Sequence, residues 1–113
     1  MLHADLRHDN LLVRGADVRV VDWPWATRGA AWVDAVLLAV TIEAYGGPAA
    51  ASVFERYGVP VDRDTLAVAL ATLSGYLVTT ALLPAPPRLP YLRPAQARQG
   101  EVTAAWLDTL GLW

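Results

Sequence analysis

Cysteine and lysine are both absent from this 113-residue sequence, and asparagine occurs only once. Without cysteine there is no disulfide framework, no thiolate nucleophile and no cysteine-ligated zinc or iron–sulfur centre. The lack of cysteine fits a reducing compartment, and we predict a cytoplasmic protein. Nine arginines stand against eleven acidic residues, and the resulting net charge of −2 argues against binding along a nucleic-acid backbone. We therefore predict no nucleic-acid partner.

Charged residues are also scarce, at 18% against 55% hydrophobic residues, which excludes an intrinsically disordered chain. The length suits one compact domain, and we predict a single domain over residues 1–113. The first ten residues are polar and carry no apolar run, so we expect no secretory signal there.

One uncharged segment, residues 65–83, is 19 residues long and could span a membrane by length alone. It contains several threonines, a serine and a glycine, and no basic cluster flanks it to set a topology. A helix that is apolar on all sides is also typical of a buried core. We favour the core helix, and a membrane-associated protein is the weakest alternative.

The pattern of apolar residues and turn residues predicts an α+β, mostly helical fold with one β-hairpin and four helices. The hairpin is expected over residues 11–21, with a four-residue connection at 14–17. Pro24 prevents the second strand from simply continuing. The helices are expected at 31–45, at 48–57, at 65–82 with Asp62 or Asp64 as its cap, and at 94–110 after a proline-rich crossing.

The residues that point to chemistry lie at both ends of the predicted hairpin. His3, Asp5 and Asn10 follow the pattern H-x-D-x-x-x-x-N, and Asp22 directly follows the second strand. Phosphoryl transfer needs a carboxylate that orients the attacking hydroxyl, and further oxygen ligands for the metal on the phosphates. Magnesium prefers such hard oxygen ligands. The hairpin brings residues 10 and 22 to the same end, so the spacing suits this chemistry.

Residues 2–38 resemble the catalytic and metal-binding segment of the aminoglycoside phosphotransferase and choline kinase group, whose fold is protein-kinase-like. The shared pattern is Leu2-His3-Ala4-Asp5…Asn10-Leu11-Leu12-Val13, followed by Val20-Val21-Asp22-Trp23. The resemblance implies ATP and Mg²⁺ as cofactors and a small-molecule hydroxyl as the phosphate acceptor. It assigns Asp5 as the catalytic base and Asn10 and Asp22 as the magnesium and nucleotide ligands.

The resemblance implies roles for three further residues. His3 would be a packing residue that braces the loop, and Arg7 would face the transferred phosphoryl group. A surface ion pair is the alternative for Arg7. Asp34 matches an acidic residue that the family carries on the following helix. Because an unpaired carboxylate among apolar residues is costly, we expect Asp34 to find a structural partner in residues 3–10 or 23–30.

Two features of the family are not found in this sequence: the loop that covers the phosphates, and the lysine that grips the α- and β-phosphates. We therefore expect a C-terminal lobe without its N-terminal nucleotide lobe, and little activity from this chain alone. Residues 1–30 would hold the catalytic loop, hairpin and metal-binding loop, and residues 31–113 the helices. The alternative is a non-enzymatic half-kinase that dimerises, or binds a partner, through the face that the missing lobe leaves open.

Overall fold

The structure, a computed structural model that describes residues 1–112, is α+β and mostly helical, as predicted. In chain order it contains a 3₁₀ turn (His8–Asn10), strands β1 (Leu11–Arg14) and β2 (Asp17–Val20), and helices α1 (Trp32–Ala44), α2 (Ala50–Tyr57), α3 (Arg63–Ala81) and α4 (Leu92–Thr109). The chain divides into two compact units, Met1–Pro60 and the residues from Val61 onward. That they make one domain stays a prediction.

The hairpin of the first unit is shorter at its tip than the sequence suggested. Strands β1 and β2 pair antiparallel from Leu11 opposite Val20 to Arg14 opposite Asp17, which leaves a connection of two residues rather than four. Gly15 opens this connection with φ +60°. A two-residue hairpin loop of type II′ needs such a backbone at its first position, and glycine adopts it without steric cost.

Two glycines end helix α1, and a side chain in its last turn caps helix α2. Gly46 has φ +92°, and its N–H donates to the carbonyl of Glu43, while the N–H of Gly47 donates to the carbonyl of Ile42. These two bonds form a Schellman motif, which satisfies the last carbonyls of the helix. The Glu43 side chain accepts a 2.6 Å hydrogen bond from the N–H of Ala50 and so caps α2. The N-cap residue of α2, Ala49, makes no side-chain cap of its own.

Helices α3 and α4 pack closely against each other in the second unit. The carboxylate of Asp62 caps α3 by accepting the N–H of Thr65 at 2.9 Å, as the sequence predicted. Gly100 allows the close approach, since a Cβ at this position would lie 3.0 Å from Val78 Cγ2 and 3.5 Å from Leu77 Cβ. The cap at Asp62 and the close contact at Gly100 both contribute to the packing of the second unit.

The expected core helix buries only one face. Its buried residues are Leu66, Ala67, Leu70 and Leu77. Val68 and Tyr76 on other faces are 68% and 58% exposed. Among residues 1–112, α3 is the one helix long and apolar enough to cross a membrane, and 22% of its most apolar window is buried. Length and composition alone are weak evidence for a span, since soluble core helices share them.

Helix α4 begins earlier than predicted, because proline does not exclude its first turn. The proline-rich stretch was expected to run to Pro94, yet the helix starts at Leu92 and includes Pro94 as its third residue. The first N–H groups of a helix have no partner within it, so a residue without an N–H loses nothing there.

The two glycines inside helices of the second unit give a matched test of this packing. A Cβ at Gly75 meets nothing within 4 Å, so we expect Gly75→Ala to raise the free energy of unfolding by about 0.5–1 kcal/mol. Gly100→Ala gains the same helix propensity but must displace Val78, so its gain should be smaller or reversed. Urea denaturation followed by circular dichroism measures both, and equal stabilisation would contradict the close contact.

The cap of α3 makes a prediction about pH. Hydrogen bonds from the side chain and backbone of Thr65 hold the pKa of Asp62 below its ordinary value of 3.8. A lowered pKa in the folded state stabilises the fold at pH values above 3.8, and this contribution is lost as the pH falls through the lower value. We expect Asp62→Asn, which keeps a capping oxygen but no charge, to flatten the pH dependence of thermal unfolding below about pH 4. An unchanged profile would show that the charge adds nothing.

Candidate active site

The loop before the hairpin is tied to the first turn of α1 by one carboxylate. Asp34 accepts the backbone N–H of His3 through Oδ2 at 2.7 Å and that of Ala4 through Oδ1 at 2.9 Å. Of the two partner segments proposed for Asp34 from sequence, the structure therefore shows residues 3–10. An acidic residue in the first turn also suits the helix dipole. Hydrogen bonds to a charged acceptor are stronger than neutral ones, so this anchor fixes where the loop starts.

His3 joins the loop to the far end of the hairpin. The ring is 1% exposed; its Nδ1 accepts the N–H of Asp5 at 3.3 Å, and its Nε2 donates to the carbonyl of Val21 at 2.8 Å. Both bonds are satisfied by the neutral ring with its proton on Nε2. The ring also lies edge-on to Trp23, with centroids 4.8 Å apart. These contacts show which atoms of His3 connect the loop to the hairpin, as the expected bracing role requires.

The side chain of Asn10 is oriented by the backbone of Asp5. Asn10 is 5% exposed, and its Nδ2 donates to the Asp5 carbonyl at 2.8 Å. This bond determines which end of the amide is which. The Oδ1 atom has no hydrogen-bond partner among residues 1–112. The amide therefore presents an oxygen that is free to accept a ligand, as a metal-binding role requires.

Asp22 follows the hairpin in a backbone conformation that only a few residue types tolerate. The Val21 N–H donates to the Asn10 carbonyl at 2.9 Å, which extends the hairpin register by one pair and brings Asp22 next to Asn10's end of the hairpin. Asp22 has φ +63°, and Ala4 in the catalytic loop has φ +64°. Such backbone costs roughly 1–2 kcal/mol for an ordinary residue, although aspartate adopts it more readily. The Asp22 carboxylate is exposed and makes no hydrogen bond or ion pair within the described part of the chain.

Arg7 lies between two carboxylates. Its Nε is 3.2 Å from Asp5 Oδ1 and its Nη2 is 3.5 Å from Asp9 Oδ2, with the three side chains 34–52% exposed. The Nε is buried and within ion-pair distance of Asp5, but it misses hydrogen-bond geometry. Ion pairs this exposed contribute little to stability. Arg7 therefore sits beside the predicted base, and its guanidinium is not tightly bound there.

Two further features of this unit are not indicated by any sequence pattern. The His8 ring lies 4.2 Å from the Tyr45 ring, tilted by 49°, which joins the 3₁₀ turn to the end of α1. A cavity of about 330 Å³ lies along the hairpin and involves none of the predicted site residues; it is lined by Leu12, Val13, Arg14, Asp17 and Arg19. Both features depend on which residues the folded chain brings together, and the spacing of residues in the sequence does not predict them.

The anchor at Asp34 can be tested by removing its charge and one acceptor. In Asp34→Asn the new amide N–H₂ faces N–H donors, and we expect the first unit to lose about 1–3 kcal/mol of stability. Amide hydrogen exchange at His3 and Ala4 should accelerate. Asp64→Asn is the matched control, because Asp64 also lies in the first turn of a helix. Unchanged exchange in Asp34→Asn would show that other contacts hold the loop.

One of three comparisons with known proteins identifies a family for this chain. Residues 1–71 match the model of the phosphotransferase enzyme family, and the match includes every predicted site residue from His3 to Asp34. A comparison with curated proteins and one with solved structures each found no match. The family match covers more than half of the sequence. The chain belongs to the phosphotransferase enzyme family, as its resemblance to the aminoglycoside phosphotransferases predicted.

Proposed function

We propose that the chain supplies the acceptor-activating and metal-binding part of a Mg²⁺-dependent phosphotransferase, which moves the γ-phosphoryl group of ATP to a hydroxyl of a small molecule. The observation that carries the proposal is the orientation of Asn10, whose Nδ2 is bound to the Asp5 carbonyl so that Oδ1 stays available. The same hydrogen bond links the predicted metal ligand to the predicted base. The two groups are thereby held in one arrangement.

The residues present suit magnesium better than a transition metal. No group of three or more His, Cys, Asp or Glu residues that could hold a metal occurs within residues 1–112. Asn10 and Asp22 offer hard oxygen atoms at one end of the hairpin. Magnesium is commonly held by one or two protein oxygens, and phosphate and water complete its shell. When bound, the ion would neutralise negative charge on the phosphates.

Asp5 is the proposed base, and its environment supports that role. Its backbone is held on both sides, since its N–H donates to His3 and its carbonyl accepts from Asn10. The carboxylate itself is 38% exposed, and its one charged neighbour is Arg7. A carboxylate on a fixed backbone with an open side chain can accept a proton from an incoming hydroxyl.

Arg7 is proposed to contact the transferred phosphoryl group. Its Nε and Nη2 atoms lie 3.2 and 3.5 Å from the carboxylates of two different residues, Asp5 and Asp9. A planar guanidinium can also bind two oxygens of one phosphate in a bidentate manner. These 113 residues contain no lysine, so the permanently charged side chains among them that could bind the remaining phosphates are arginines. The acceptor is a small-molecule alcohol whose identity the site residues do not specify.

The metal-binding role can be measured without turnover. We expect Mn²⁺, used as a paramagnetic substitute with ATP, to bind the protein, with a tenfold or greater loss of affinity in Asn10→Ala and in Asp22→Ala. Asp17→Ala is the matched control, because Asp17 is an exposed hairpin aspartate at the opposite end of the same strands. Electron paramagnetic resonance titration reports free Mn²⁺. Equal affinity in all four proteins would reject the assigned ligands.

The base is tested separately with Asp5→Asn. Because little activity is expected from this chain alone, the test uses a full-length protein that includes a nucleotide-binding lobe. We expect the variant of that protein to bind Mn²⁺ with ATP as the parent does, and to lose phosphoryl transfer to any small-molecule alcohol that the parent accepts. A panel of small-molecule alcohols is incubated with the protein, Mg²⁺ and ATP, and mass spectrometry detects any phosphorylated product. A variant that still forms the product at a near-normal rate, with its fold intact by circular dichroism, would contradict the role of Asp5.

A further inference from the structure

Helix α1 touches the catalytic loop at two places that lie far apart along the helix. Asp34 in the first turn binds the loop at His3 and Ala4, and Tyr45 at the end of the helix contacts the His8 ring. Eleven residues separate Asp34 from Tyr45, which is about 16 Å of helix. The predicted base, Asp5, lies between these two contacts in the sequence. One of the two predicted metal ligands, Asn10, lies two residues after the second contact.

The contact at Tyr45 is well placed to orient Asn10. His8 is the first residue of the 3₁₀ turn and Asn10 is the last, and the Asn10 N–H donates to the Arg7 carbonyl at 3.0 Å. The Leu11 N–H donates to the His8 carbonyl, so the N–H groups of Asn10 and of the residue after it are both bonded within this turn. A change in the orientation of His8 therefore changes the backbone that carries Asn10. The backbone of Tyr45 is held in place, since Tyr45 is the C-cap of α1 and its N–H donates to the carbonyl of Thr41 at 3.2 Å.

The two rings do not belong to the core. Tyr45 is 50% exposed, and His8 is also exposed. Removing such a contact therefore leaves no cavity in the core, in contrast to the loss of a buried side chain. Aromatic pairs with ring centroids 4.5–7 Å apart shift an equilibrium by roughly 2- to 12-fold beyond the area that they bury. We expect an effect of this order from the His8–Tyr45 pair, whose centroids are slightly closer, at 4.2 Å. That factor is too small to decide folding but large enough to change how often the turn adopts one orientation.

We propose that the His8–Tyr45 ring contact is a second brace of the catalytic loop, which positions Asn10 for the metal while Asp34 positions the start of the loop. His8 and Tyr45 are positioning residues, and they act through the 3₁₀ turn. The inference rests on the proposed function for its consequence at the metal. The brace itself is a property of the free protein.

Hydrogen exchange in the free protein tests the brace. We expect Tyr45→Ala to speed exchange of the Asn10 amide by roughly 2- to 12-fold, and to leave the amides of His3 and Ala4 unchanged, because Asp34 holds them. Tyr45→Phe keeps the ring and should restore the parent rate. Tyr91→Ala is the matched control, since Tyr91 is 83% exposed in the other unit. His8→Ala and His8→Phe repeat the comparison from the opposite ring.

Titration with Mn²⁺ and ATP then tests the consequence. Affinity should fall in Tyr45→Ala by a factor similar to the change in exchange, and should return in Tyr45→Phe. Unchanged exchange of the Asn10 amide in both alanine variants overturns the brace, as does a phenylalanine variant that is as impaired as alanine. Altered exchange with unaltered Mn²⁺ affinity overturns the positioning role. If the parent binds no Mn²⁺ with ATP but exchange responds as expected, the brace stands and the proposed function fails.

Discussion

A carboxylate in the first turn of α1 holds the segment that carries the candidate base. Asp34 accepts two consecutive N–H groups of a loop thirty residues earlier in the chain, at 2.7 and 2.9 Å. One of these groups belongs to Ala4, whose left-handed backbone costs free energy that surrounding contacts must offset. The other belongs to His3, whose ring makes the remaining connections. The geometry of Asp5 therefore depends on a charge located on a helix that is distant in sequence.

His3 transmits that constraint from the loop to the hairpin. One ring nitrogen binds the backbone of Asp5 and the other binds the carbonyl of Val21, directly before Asp22. A buried ring with both nitrogens satisfied is rigid, because losing either bond would leave a buried polar group unpaired. The same imidazole thus binds the backbone of the candidate base and the backbone of the residue before a candidate metal ligand. Asn10 is fastened to the same loop through the Asp5 carbonyl, so the three groups share one hydrogen-bonded frame.

Much of this site was predictable because its residues lie close together in sequence. The hairpin follows from its alternating apolar residues and glycine turn, and it necessarily brings the ends near Asn10 and Asp22 together. The pattern of His3, Asp5 and Asn10, with Asp22 after the hairpin, predicted a phosphotransferase, and the family match supports that family. A surface ion pair was one of two alternatives for Arg7, and the structure shows it with Asp5 and Asp9. Whether an exposed guanidinium turns to a carboxylate or to a phosphate is decided by nearby charges, and residue spacing does not encode these.

By itself, the sequence determined the types of element, their order and the candidate residues for the chemistry. These properties depend on local periodicity, on turn residues and on short intervals, which hold in any fold that the chain could form. Only the tertiary structure decided that Asp34 binds residues 3–10, that Glu43 caps α2, that α3 buries a single face and that the ring of Tyr45 reaches His8. The physical reason is the same for all four. Each contact joins residues that are distant in sequence or on different elements, so it exists only once the packing of those elements has fixed their separation.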